Sequence, residues 1–219
     1  MVLVGLLSVA ATPVTNPFVQ EKSGVTIDWR AGTIAVTAGA AADLRMPSAD
    51  IARPGAERRA RATARTRIAE ALRGLPLGGG RRLDEAAVAR AIARARVTST
   101  EYQSNGGAVI RMEVAIGDWA EVTTPAVLPA AADAATSEAA PVALWLPEGR
   151  FAAAPLVVVG GREVVLGSAK YTTAAGLPTG ARPLPVHADK QGRLVVDEGG
   201  TPRELAGKPA VVYVQKVWR

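Results

Sequence analysis

The chain has no cysteine among its 219 residues. That absence excludes disulfide frameworks, thiolate nucleophiles, iron–sulfur clusters, cysteine zinc sites and a lipid-modified cysteine in one step. It leaves the compartment open, because an oxidising environment poses no mispairing problem to such a chain. Aromatic residues are scarce at 4%, so a core must be built from small and β-branched side chains at close approach. Histidine occurs once, which leaves imidazole chemistry a single side chain to draw on. What is present is globular: 48% hydrophobic and 21% charged residues, enough for one large or two small domains with real cores.

An apolar run from Val2 to Ala11 ends in Ser8-Val9-Ala10, a small-x-small pattern that signal peptidases accept. We read residues 1–24 as a signal-like segment and leader, and expect a periplasmic or extracellular envelope location. If the run is not a signal, the location is cytoplasmic and the run is a buried first strand. The run lacks a basic n-region, and it is too short for a bilayer span, which needs roughly 20 apolar residues, so no transmembrane helix is expected.

Net charge is +6, and its location says more than its size. Arg53 to Arg96 holds twelve arginines against Glu57, Glu70, Asp84 and Glu85, which leaves the rest slightly acidic. Arg58, Arg59, Arg61, Arg65 and Arg67 concentrate this charge on one segment and form a candidate interaction face.

Residues 25–122 read as an α+β domain of order ββααββ, two helices on an antiparallel sheet. Val25, Ile27 and Trp29 alternate, then Ile34 and Val36 resume after Arg30-Ala31-Gly32-Thr33, which predicts a hairpin. Pro54 suits a first helical turn, and Ala56, Ala60, Ala64, Ile68 and Leu72 then recur every fourth residue up to a stop near Gly74. Asp84 is a good N-cap for a second helix carrying Val88, Ala91, Ile92 and Ala95 on one side. Residues 97–116 predict a second hairpin. Burial of Tyr102 opposite Ile110 requires a three-residue loop, 105–107, whereas Asn105-Gly106 favours a two-residue turn locally; we expect burial to prevail.

Residues 123–140 hold eight alanines and two prolines without apolar periodicity and read as a linker. After it, residues 141–219 read as a smaller β-rich domain, with apolar runs at Val142 to Leu146, Leu156 to Val159, Glu163 to Leu166, Leu194 to Val196 and Val211 to Val217.

The order of these elements, with the string Trp29-Arg30-Ala31-Gly32-Thr33-Ile34-Ala35-Val36 and the alanine-spaced helix, resembles the twenty-kilodalton lipoprotein family over about residues 25–118. The amino-terminal domain of the flagellar assembly protein T family has a similar pattern. Trp29, Gly32, Ala56, Ala60, Ala64 and Leu72 sit where that pattern has a tryptophan, a turn glycine and a helix packed on the sheet. The resemblance implies a lipoprotein-like envelope role and, through the flagellum-associated relatives, assembly of rings around a motor. The family's lipoproteins carry an acylated cysteine after the signal; this chain carries none.

Candidate chemistry is thin. His187, in Pro185-Val186-His187-Ala188-Asp189, lacks a G-x-S-x-G nucleophile, and with Asp189 alone would hold a metal weakly, so we expect an exposed loop histidine. Gly78-Gly79-Gly80-Arg81-Arg82 precedes a helix but lacks the lysine and hydroxyl residue of a P-loop, which points to a solvated turn. No catalytic, cofactor-binding or metal-binding residue is expected. The reading is a non-enzymatic envelope interaction or structural module with a protein partner. A cytoplasmic binder of nucleic acid or other polyanions through the arginines is the alternative, although no aromatics are interleaved for base stacking. An uncharacterised enzyme comes third.

Overall fold

The computed structural model describes residues 16–116, 142–166, 169–173, 183–197, 205 and 210–217. It is α+β: two helices and two sheets, of five and seven strands. The expected signal run and the expected linker at 123–140 lie outside the described residues.

The first sheet holds β1 (Val19–Lys22), β2 (Val25–Asp28), β3 (Thr33–Ala40), β4 (Arg96–Tyr102) and β5 (Ala108–Ala115) in the order β1-β2-β3-β5-β4, all neighbours antiparallel. The β2–β3 hairpin follows the alternation, with Asp28 opposite Thr33 and its carboxylate accepting from the Arg30 and Ala31 N–H groups across the turn. Strand β1 is an addition to the expected ββααββ order. It lies within the stretch assigned to the leader, and Phe18 just before it is buried.

Helix α1 (Ala49–Gly74) crosses this sheet and buries Ala56, Ala60, Ala64, Ile68 and Leu72 completely. Alanine at three successive turns lets the helix lie close on β3 and β5. It begins five residues before Pro54, because the Ser48 hydroxyl accepts from Ile51 N–H and caps it there. Pro54 therefore sits in the second turn, where it leaves the Asp50 carbonyl without its usual helical donor. Helix α2 (Glu85–Arg94) starts as expected at Asp84, whose carboxylate accepts from Ala87 N–H at 2.6 Å.

The β4–β5 loop has three residues, but they are 104–106 rather than 105–107. Gln103 N–H donates to the Gly107 carbonyl, Tyr102 stands opposite Ala108, and Thr100 rather than Tyr102 faces Ile110. The reason is local: Gly106, at φ 85°, takes the left-handed position that closes such a loop, while Gly107 already pairs in the ladder. The two-residue shift keeps side-chain parity, so Tyr102 still lies on the α1 side, but the burial expected of it is not met: opposite Ala108, beyond the end of the core, it stays exposed. A bulge between Val97 and Ser99 then absorbs one residue.

The second sheet is larger in strand number than the first, contrary to the smaller unit expected. Its order is β8-β7-β11-β10-β6-β12-β9, with β6 (Val142–Gly149), β7 (Leu156–Val159), β8 (Arg162–Val165), β9 (Ala169–Thr172), β10 (Leu184–Ala188), β11 (Leu194–Val196) and β12 (Ala210–Val217). Strands β10, β6, β12 and β9 run parallel, whereas β7–β8 and β10–β11 are antiparallel hairpins. All five apolar runs form strands; β9 and β10 are additions.

The two sheets share one buried cluster. At the junction Trp29 stacks on Phe151 with ring centres 5.3 Å apart, while Tyr171 meets both rings edge-on and Phe18 closes the group. Phe18 and Trp29, which flank the β1–β2 hairpin, thus serve contact with the second sheet. Burial pushes the Tyr171 phenol well above its ordinary pKa, and its hydroxyl accepts from Ala152 N–H and donates to the Ala152 carbonyl.

Candidate interaction face

The five candidate arginines all lie on α1, yet they do not form one free face. Arg59 donates to the Ala41 carbonyl at 2.7 Å, Arg61 pairs with Glu57 at 2.6 Å, and Arg67 donates to the Thr37 carbonyl at 3.0 Å. These three are fastened to the scaffold, although a guanidinium with one such bond keeps other N–H groups. Arg58 and Arg65, seven residues apart, are exposed and have no hydrogen-bond or ion-pair partner among the described residues. Arg67 also lines a groove of about 710 Å³ between the β1–β2 hairpin and the C-terminal half of α1, where Lys22 and Glu70 bring charge of both signs.

His187 is exposed, as expected, but it stands on strand β10 rather than in a loop. Its Nδ1 lies 2.6 Å from Asp197 Oδ1, not on Asp189. Asp189 instead closes the β10–β11 turn. Desolvation pushes the Asp189 carboxyl up, but hydrogen bonds from the Arg193 N–H, its guanidinium and the Gln191 N–H together outweigh it and hold the group below its ordinary pKa. Among the described residues no three histidine, aspartate or glutamate side chains converge as metal ligands.

The Gly78–Gly80 turn is a docking element rather than a solvated one. Gly78 is buried, its N–H donates to the Ala154 carbonyl, and a side-chain carbon there would lie 2.2 Å from the Leu156 nitrogen. Arg81 reaches back to the Gly78 carbonyl and across to the Ala154 carbonyl, and its burial lowers its pKa. The approach of two backbones explains a glycine there without any anion.

Sequence reasoning missed the most exposed apolar residues, which gather at the N-terminal end of α1. Leu44 is 93% exposed, Ile51 57% and Tyr102 50%, with Met46 also exposed. Leu44 and Arg45 are the central residues of a turn closed by Met46 N–H on the Asp43 carbonyl, and the Asp43 carboxylate accepts from Arg45 N–H. The β4–β5 loop packs on the same end, with Gly106 against the Ala49 backbone. Tyr102 donates to Glu57 at 2.7 Å, which raises the pKa of its phenol, and its ring lies under Arg53. The signal for this patch was an apolar-basic alternation, Leu44-Arg45-Met46, inside a loop, where patterning rules for helices and strands give it no role.

A comparison with protein-family models and with curated protein sequences finds no match for this chain.

Proposed function

We propose that the chain is a non-enzymatic interaction or structural module of the bacterial cell envelope, acting within a larger assembly. The observation that carries this reading is the distribution of labour among its unusual residues. The glycine run, the aromatic cluster and the buried alanine stripe hold two sheets and a helix together. What faces outward is a long, firmly seated helix presenting Arg58 and Arg65, with exposed aliphatic residues at its N-terminal end. Such a platform suits binding. The apolar run from Val2 to Ala11 and the resemblance of about residues 25–118 to the lipoprotein family support the envelope setting.

Fractionation of the native host tests it. The expected product lies in the envelope or periplasmic fraction and begins near Ala11 or Thr12; cytosolic protein with Met1 intact overturns the reading.

Arg58 and Arg65 also favour the second reading, a cytoplasmic polyanion binder. Its signature is tight binding of duplex or single-stranded nucleic acid that survives physiological salt. Our reading expects only weak, salt-sensitive binding.

A further inference from the structure

We infer that the N-terminal pole of α1, with Leu44 at its tip, is a contact site for an anionic phospholipid surface. This deepens the envelope reading and rests on it for its biological setting. The first support is that the exposure is fixed by hydrogen bonds. Leu44 sits in a turn closed by the Met46 N–H and fastened by the Asp43 carboxylate, so an aliphatic side chain is held out into water rather than folded back. A pre-formed tip loses little conformational entropy on contact.

The second support is charge of the right sign in the right place. Arg45 shares the tip and Arg59 grips the Ala41 carbonyl at the start of the same loop, while Arg53, over the Tyr102 ring, is already paired with Asp50. Between positions 43 and 61 there are five arginines against three acids. Aliphatic residues that enter the headgroup boundary, backed by cations that meet lipid phosphates, are the two components of peripheral membrane binding.

The third is position. The junction with the second sheet lies at the opposite end of the first, beside Trp29. Shape then separates a lipid surface from a protein partner. A stable protein interface buries about 800 Å² per partner on complementary surfaces rich in aromatic anchors. Here the most exposed large apolar side chain is a leucine at 93%, so no described residue overhangs it, and an aliphatic tip standing clear of its neighbours fits a deformable headgroup layer better than a rigid socket. Among the described residues no helix is long and apolar enough to cross a membrane, and the contact we propose needs none.

The test uses the full chain with vesicles of equal parts phosphatidylglycerol and phosphatidylethanolamine, against pure phosphatidylcholine. Co-sedimentation is expected with the anionic vesicles, weakened by salt, and the double variant Leu44→Asp, Met46→Asp should bind at least about tenfold less. Because the chain lacks cysteine, Met46→Cys accepts a single environment-sensitive dye, whose emission should shift to the blue on anionic vesicles. That readout decides the matter even if the double variant fails to fold. No binding, binding that the two loop changes leave intact, or a blue shift that grows with protein concentration without vesicles each overturns the proposal, the last in favour of a second copy. Failure here leaves the envelope reading to the fractionation experiment.

Discussion

The two ends of α1 have opposite fates. At its C-terminal end Leu72, Leu75 and Leu77 are buried, and Gly78 presses its backbone against Pro155 and Leu156 of the second sheet. At its N-terminal end Leu44, Met46, Ile51 and Tyr102 stay in water. The same kinds of apolar side chain are used, so composition does not set the difference. What differs is whether a second layer arrives to cover them. One pole builds the molecule, and the other is left available for contact.

Substitutions at the two poles should therefore diverge. The largest effect is expected for Gly78→Ala, whose new carbon overlaps the Leu156 nitrogen and must push the turn off the second sheet, at a cost of about 3 kcal/mol in thermal or denaturant unfolding. Gly80→Ala is its control, since nothing lies near that position and only the left-handed backbone at φ 71° resists, at about 1 kcal/mol. Ala60→Leu, midway along the helix, should overpack the fully buried contact with the sheet and cost about 2 kcal/mol in the same measurement.

Tyr171→Phe sharpens the contrast at the junction. It strands the buried N–H and carbonyl of Ala152 while keeping the ring, and should cost about 1–2 kcal/mol. Leu44→Ser, by contrast, removes an exposed side chain and should move stability by no more than about 0.5 kcal/mol. A loss as large as that of Gly78→Ala would mean the free pole is structural.

The smallest effect is electrostatic. Arg73 holds the Glu85 carboxyl below its ordinary pKa, first by their hydrogen bond, in a pair joining the two helices on the exposed surface. A carboxylate lowered on folding contributes its stabilisation above the ordinary carboxylate range and loses it as pH falls through the lowered value. Melting temperatures of the parent chain and of Glu85→Gln should differ slightly at neutral pH and converge as the pH falls below the ordinary carboxylate range.

Local rules carried the first half of the fold well. The alanine period of α1, the Asp84 cap and the β2–β3 alternation are short-range signals, and each was legible. Misreadings arose where a distant partner decides. Gly78-Gly79-Gly80 has the composition of a solvated turn, and only the arrival of residues 153–156 makes it a packing point. Pro54 looked like a helix start because proline suits a first turn, whereas the cap that starts the helix is Ser48, upstream of it. Strand β10 holds Pro185 and the exposed His187, so it lacks the apolar run that betrays a strand. At the candidate face the sequence named the arginines but could not tell fastened from free: Arg59 and Arg67 bond to carbonyls 18 and 30 positions away. Leu44 escaped notice because exposure of a loop leucine is a tertiary fact.

Amide hydrogen exchange on the intact protein, with and without anionic vesicles, tests the contrast between the poles most directly. The account predicts added protection confined to residues 43–52 and the β4–β5 loop, with the Leu75–Leu83 segment and the second sheet unchanged. Protection that appears on the second sheet instead, or none at the N-terminal pole of α1, would contradict it.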